Sequence, residues 1–184
     1  MKFEEKTTHR ETIYQGKIID LFLDDVQLPD GKAAKRELVK HPGAVAIIAF
    51  VEADKMIFVR QYRKALEKTI VEIPAGKIDP TDTDHLETAK RELEEETAYQ
   101  AKAFYYDTSF YTSPGFADEL LHVYVAEGLH QVAQPLAQDE DEFIELLEWD
   151  FNEAWAAYQN GEIIDAKTVY ALMFWKLKRE KVGE

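Results

Sequence analysis

The segment from Thr69 to Glu96 constrains this chain most. Thr69-Ile70-Val71-Glu72-Ile73 is β-branched and strand-like, Pro74-Ala75-Gly76 breaks it, and a polar loop of Asp, Thr and Pro leads into a helical run ending Arg91-Glu92-Leu93-Glu94-Glu95-Glu96. Each helical residue turns about 100° around the axis, so residues three and four apart share a face. Glu92, Glu95 and Glu96 therefore share one side. Leu86, Ala89 and Leu93 form a narrow apolar stripe within roughly 60°, and Glu92 and Glu96 stand about 40° apart beside it. Glu94 points the other way and reads as a bystander.

Three like charges on one side destabilise an isolated helix unless a cation or a paired Arg compensates them. Taken alone, the acidic run also fits a solvated helix face. A hard divalent cation such as Mg2+ suits an all-oxygen site, and Mg2+ commonly takes further ligands from substrate phosphates.

The strand-loop-helix order around these residues resembles the box of the Nudix hydrolases, with Arg91, Glu92, Leu93, Glu95 and Glu96 matching residue for residue. Two borders differ. Gly76 to Arg91 is one residue longer than the usual spacing, so the first box glutamate falls near Asp82 or Thr83 and is assigned no role. Ala98 replaces the closing glycine, a strain of roughly 1 kcal/mol if a left-handed cap forms there. The resemblance implies metal ligation by Glu92, Glu95, Glu96 and the backbone carbonyl of Ala75, with Gly76 and Arg91 structural in the motif.

Composition excludes other classes. A chain of 184 residues with 46% hydrophobic content can bury one core of ordinary size, and the absence of cysteine removes disulfides and thiol chemistry. The formal net charge of −14 argues against nucleic acid as a partner, while small phosphorylated ligands can still bind through bridging cations. The longest apolar run, Ala44 to Val51, is too short to span a bilayer, and Met1-Lys2-Phe3-Glu4-Glu5-Lys6 has no signal-peptide pattern. No membrane association and a cytoplasmic location are expected.

Along the chain, strand-like runs cover Lys17 to Leu23, Asp24 to Leu28 and Arg36 to Lys40, with a turn at Pro29-Asp30-Gly31. Further strands are expected at Ala44 to Glu52, Met56 to Tyr62, Lys102 to Thr108, Glu119 to Glu127 and Phe143 to Trp149. Two helices close the chain. Asp150 or Asn152 caps the first and Gly161 stops it, while Asp165 caps the second, where Val169, Leu172, Met173 and Lys176 follow helical spacing. Interleaved strands and helices predict an α/β fold, an α/β/α sandwich around a mixed sheet. The resemblance divides it into a small N-terminal antiparallel sheet over residues 1–42, similar to that of ADP-ribose pyrophosphatases, and a Nudix hydrolase domain over 43–184.

A second acidic cluster, Asp139-Glu140-Asp141-Glu142, precedes the last expected strand. By itself it fits a solvated loop, although residues two apart in extended backbone project to one side. In Nudix ADP-ribose hydrolases such a loop contributes a general base and a further metal contact, which points to Glu140 as base and Glu142 as support, or the reverse, with Glu95 alongside. Pro114 falls where that subfamily carries a proline. Ser113-Pro114-Gly115 is otherwise a plain turn. Arg36, Arg63 and Glu119 resemble its substrate-binding positions, because a planar guanidinium grips phosphate oxygens and a carboxylate can hold a ribose hydroxyl. Arg60 fits equally a surface carboxylate partner.

The resemblance thus implies cleavage of ADP-ribose to AMP and ribose 5-phosphate by a homodimer with two or more Mg2+ ions per site, or Mn2+. Another nucleoside diphosphate derivative, such as NADH, a nucleotide sugar or a diadenosine polyphosphate, stands as the substrate alternative. A non-catalytic sensor of ADP-ribose or NAD metabolites stands as the alternative of a different class.

Overall fold

The computed structural model describes residues 3–138 and 142–182. Ala44–Glu52 forms β4, and its residues Ala44 to Phe50 are all buried, as a continuous apolar run requires of a strand covered on both faces. It lies in the middle of a seven-stranded mixed sheet. The other strands are β5 (Lys55–Arg63), β6 (Lys68–Glu72), β7 (Ala75–Lys77), β8 (Tyr99–Tyr111), β9 (Leu120–Gln131) and β10 (Ile144–Asp150). The order is β10-β5-β4-β9-β8, with β6 on β5 and β7 on β4.

Helix α1 spans His85–Thr97, and Asp84 caps it by accepting from the Leu86 N–H at 2.8 Å. Its stripe of Ala89 and Leu93 is fully buried against Val45, Ile47, Ala49 and Ile57 of the sheet. The helix stops at Ala98, which is left-handed at φ 59°. Helix α2 covers Phe151–Gln159, with Asp150 rather than Asn152 as its cap in a reciprocal box with Glu153. Helix α3 covers Ala166–Val182, and its Ala171, Leu172 and Trp175 are fully buried. No helix of the described residues is long and apolar enough to cross a membrane.

The N-terminal antiparallel sheet has the order β1-β2-β3, from β1 (Lys6–Gln15), β2 (Asp20–Gln27) and β3 (Ala33–Lys40). The two strands expected between Lys17 and Leu28 are a single strand, β2, and its partner β1 lies further upstream. Every residue of β1 is exposed, so no apolar alternation marks it in the sequence. Asp24 of β2 is wholly buried and accepts from Arg10 Nε and Nη2, each at 2.7 Å, and from the Thr7 hydroxyl at 2.9 Å.

By contact the chain forms two compact units. One is Met1–Ala44 with Ser109–Leu121, and the other is Val45–Thr108 with His122–Glu184.

Candidate active site

The box is assembled inside the second unit. The end of its strand is pinned from two sides, since the Ile73 N–H donates to Thr168 Oγ1 at 2.9 Å and the Pro74 carbonyl accepts from the Ile47 N–H at 2.8 Å. The Ala75 N–H then donates to Glu96 Oε2 at 3.0 Å, which ties the turn to the helix. Gly76 sits against Glu92, and a Cβ at that position would land on the Glu92 carboxylate. The requirement for glycine here is therefore close approach rather than backbone conformation.

Arg91 holds the carboxylates in place, 2.9 Å from Glu92 Oε1 and 2.6 Å from Glu95 Oε2. It also approaches Asp82 at 3.5 Å and Asp79 at 3.9 Å. Asp82 thus acts on the box through Arg91, a role its displaced position in the sequence does not reveal. Burial pushes the Asp82 carboxyl up, but the Asp79 N–H and Arg91 outweigh it and hold the group below the ordinary carboxylate range.

Glu96 and Glu92 move the other way. Burial first, then the negative charge of Glu142 and Glu92, raises Glu96 to about 8 despite the Ala75 N–H and Lys167. Burial likewise raises Glu92 to about 7 against the pull of Arg91, with Glu95 and Glu142 adding repulsion. Glu142 therefore acts on both box carboxylates. Glu140 lies outside the described residues.

Burial holds the protons of Glu92 and Glu96 to near neutrality, with Glu95 and Glu142 adding negative charge, an environment that added positive charge would relieve. The all-oxygen chemistry of these carboxylates fits a hard divalent ion. Among the described residues, no cluster of three or more His, Cys, Asp or Glu is already gathered closely enough to hold one. Arg91 takes up Glu92 and Glu95, and the Ala75 N–H takes up Glu96, so ligation calls for side-chain rotation away from these partners.

Glu94, expected to face away from the ligands, makes contacts of its own. Its carboxylate accepts from the Gln100 amide at 2.7 Å and from the Leu136 N–H at 3.2 Å. The Gln138 amide also donates to the Glu96 carbonyl at 3.3 Å, and the Val132 N–H to the Ala98 carbonyl at 2.9 Å. The segment after β9 is thereby fastened to the C-terminal end of α1.

Arg63 lies on β5, where its Nε donates to Glu72 at 2.6 Å. Glu72 is buried and accepts from Lys167 as well, at 2.6 Å. Arg60 pairs with Glu145 at 2.7 Å and faces Glu162 at 3.6 Å, the surface-carboxylate arrangement. Arg36 and Glu119 belong to the first unit. There Arg36 forks onto Glu5 at 2.6 and 2.8 Å, and Glu119 accepts from the Thr112 hydroxyl with His41 at 3.6 Å. Ser113 opens the turn through Pro114, its carbonyl accepting from Phe116 and Ala117.

A strand-loop-helix box with enclosed carboxylates, set on a mixed sheet with helices, defines a Nudix-type α/β protein. The NUDIX domain model matches residues 40–172, and the chain belongs to that family. A second model, the nucleoside diphosphate sugar hydrolase N-terminal domain, matches residues 5–39. The chain is 53% identical to the ADP-ribose pyrophosphatase of Bacillus subtilis over 175 residues, covering 95% of this chain and 94% of that protein. It is 49% identical to the methanol dehydrogenase activator of Bacillus methanolicus, covering 96% and 95%. Its fold matches the crystal structure of an ADP compounds hydrolase with a TM-score of 0.83 at 22% identity, covering 98% of this chain and 96% of that one.

Proposed function

We propose that this chain is a metal-dependent Nudix hydrolase that cleaves the pyrophosphate bond of ADP-ribose, releasing AMP and ribose 5-phosphate. The observation that carries the reading is buried Glu96 and largely enclosed Glu92 against Ala75-Gly76, in a chain that matches a relative named ADP-ribose pyrophosphatase along nearly its whole length. Hydrolysis of a pyrophosphate needs an aligned water, a base for its proton and positive charge near the phosphate oxygens.

Glu92, Glu95, Glu96, Glu142 and the Ala75 carbonyl would hold two or more Mg2+ ions, or Mn2+. Such ions supply neutralisation of the charge that develops on the phosphates. Glu140 takes the proton of the attacking water, with Glu142 in support. Arg63 directs its terminal nitrogens at a phosphate, and Arg36 and Glu119 bind the remainder of the substrate. Arg91 keeps Glu92 and Glu95 apart and oriented. Residues 1–42 serve dimerisation and substrate contacts in a cytoplasmic homodimer, and the Nudix domain proper runs from 43 to 184.

Product profiling over ADP-ribose, NADH, diadenosine polyphosphates, nucleotide sugars and nucleoside triphosphates, with Mg2+ or Mn2+, tests this. AMP and ribose 5-phosphate from ADP-ribose are expected, and cleavage of no diphosphate overturns the enzyme reading. A regulatory module is the second reading, favoured by the likeness to a relative named as a dehydrogenase activator. Binding of ADP-ribose without turnover would favour it.

A further inference from the structure

The mechanism leaves Lys167 unused, yet it is among the most enclosed cations of the second unit. Its side chain is only 11% exposed, 2.6 Å from Glu72 Oε1 and 3.1 Å from Asp165 Oδ2. Glu72 is more enclosed still, at 3%, and divides its two oxygens between Lys167 and the Nε of Arg63. Arg63 remains 41% exposed. Each cation takes one oxygen of Glu72, and the hydrogen bond of Arg63 to it is made through Nε.

The neighbouring residue of α3 fixes the same structure. Thr168 accepts from the Ile73 N–H and donates to Asp165, so α3 sets the backbone of the strand end that leads to Ala75 and Gly76. Lys167 also draws on Glu96, and Arg63 feels both Glu96 and Asp165. The Lys167–Glu72–Arg63 chain thus links the start of the last helix to β5 and to the end of β6, which leads into the box.

We propose that Lys167 is a positioning residue, which by occupying one oxygen of Glu72 confines Arg63 to a single-nitrogen contact and keeps its terminal nitrogens available to a substrate phosphate. Without Lys167, Glu72 is a buried carboxylate with one partner, and Arg63 turns its fork inward to satisfy both oxygens. The guanidinium then leaves the substrate. This inference rests on the assignment of Arg63 to the phosphate.

The test compares Lys167→Met, Lys167→Arg and the wild type by 15N NMR of the Arg63 Nε–H, assigned through its loss in Arg63→Lys, and by kinetics on ADP-ribose. In Lys167→Met the Arg63 resonance moves, and KM rises about ten-fold while kcat changes much less, the loss of one charge-assisted contact. Lys167→Arg restores both. In an Arg63→Ala background the Lys167→Met effect on KM disappears, because the two act as one unit. An unmoved Arg63 resonance, an unchanged KM or additive effects in the double variant overturn the proposal. Should Lys167→Met fail to fold, Glu72→Gln must move the resonance and Lys167→Arg must not. A wild type that cleaves no ADP-ribose sinks the substrate reading alone, since the NMR result decides the position of Arg63 without substrate.

Discussion

The carboxylate of Glu92 fills the space that any side chain at residue 76 would need. Adding one methyl group at Gly76 therefore evicts Glu92, which also loses its 2.9 Å pairing with Arg91. Gly76→Ala should lower kcat at least about a hundred-fold, on the scale of losing one group that stabilises the transition state, and should weaken Mn2+ binding by calorimetry. Unchanged Mn2+ affinity in a folded Gly76→Ala protein would mean that Glu92 is not a ligand.

Glu92 and Glu96 make the metal-free protein sensitive to alkali. Both carboxyls are raised from an ordinary 4.5, to about 7 and about 8. Between these values the unfolded chain has already lost its protons while the native site retains them, so stability falls as pH rises from near 5 to near 8 and levels off above. Urea denaturation in EDTA should show lower stability at the upper end of this window than at the lower. Mg2+ or Glu96→Gln should flatten the profile. A metal-free protein equally stable at both ends would contradict the burial of Glu92 and Glu96 as the cause of their raised values.

The two sides of α1 should respond differently to substitution. Glu96→Gln should cut turnover by orders of magnitude, about a thousand-fold if Glu96 is a ligand. Glu94→Gln keeps an oxygen that can accept from the Leu136 N–H and should have little effect. Glu94→Ala releases that N–H and the Gln100 amide, and hydrogen exchange should rise at Leu136 with only a modest loss of rate. Equal losses for Glu96→Gln and Glu94→Gln would defeat the assignment of faces.

Asp24 gives the N-terminal sheet an acid limit. The paired Arg10 guanidinium, helped by Thr7 and opposed by desolvation, holds its carboxyl below the usual 3.8. A depressed native value stabilises above the unfolded value and is lost as pH falls through the native one. Asp24→Asn should therefore destabilise at pH 7, and its deficit should close below about pH 4. A deficit independent of pH would show that the hydrogen bonds matter and the charge does not.

Features governed by local periodicity are legible in the amino-acid sequence alone. The apolar run of β4 announces a covered strand, and the spacing of Ala89, Leu93, Glu92 and Glu96 announces which side of α1 is buried. Gly76 and Arg91 take their places from the box motif. Strand β1 is hidden because polar residues on both of its faces carry no alternation. The Lys167–Glu72 bond joins residues 95 apart, and the Glu94–Leu136 bond joins residues 42 apart. Such ionic and backbone contacts follow from tertiary placement, and no local pattern encodes them.

Ala98 offers a gain in stability without touching the carboxylates' side chains. It holds φ 59° and ψ 23°, and its N–H closes α1 on the Glu94 carbonyl at 2.8 Å. A left-handed residue with a Cβ costs about 1–2 kcal/mol relative to glycine, whereas glycine frees the unfolded chain by about 0.4–1 kcal/mol. The balance favours Ala98→Gly by roughly 0.5–1 kcal/mol, or about 1–4 °C in Tm for a chain of this length. The Ala98 carbonyl accepts from Val132, and glycine keeps that carbonyl, so the tether to the segment after β9 should survive. Calorimetry with and without Mg2+ should show the same upward shift in both states, because the relief is confined to the helix cap. A lower Tm for Ala98→Gly would mean that the alanine methyl contributes packing greater than the strain it carries.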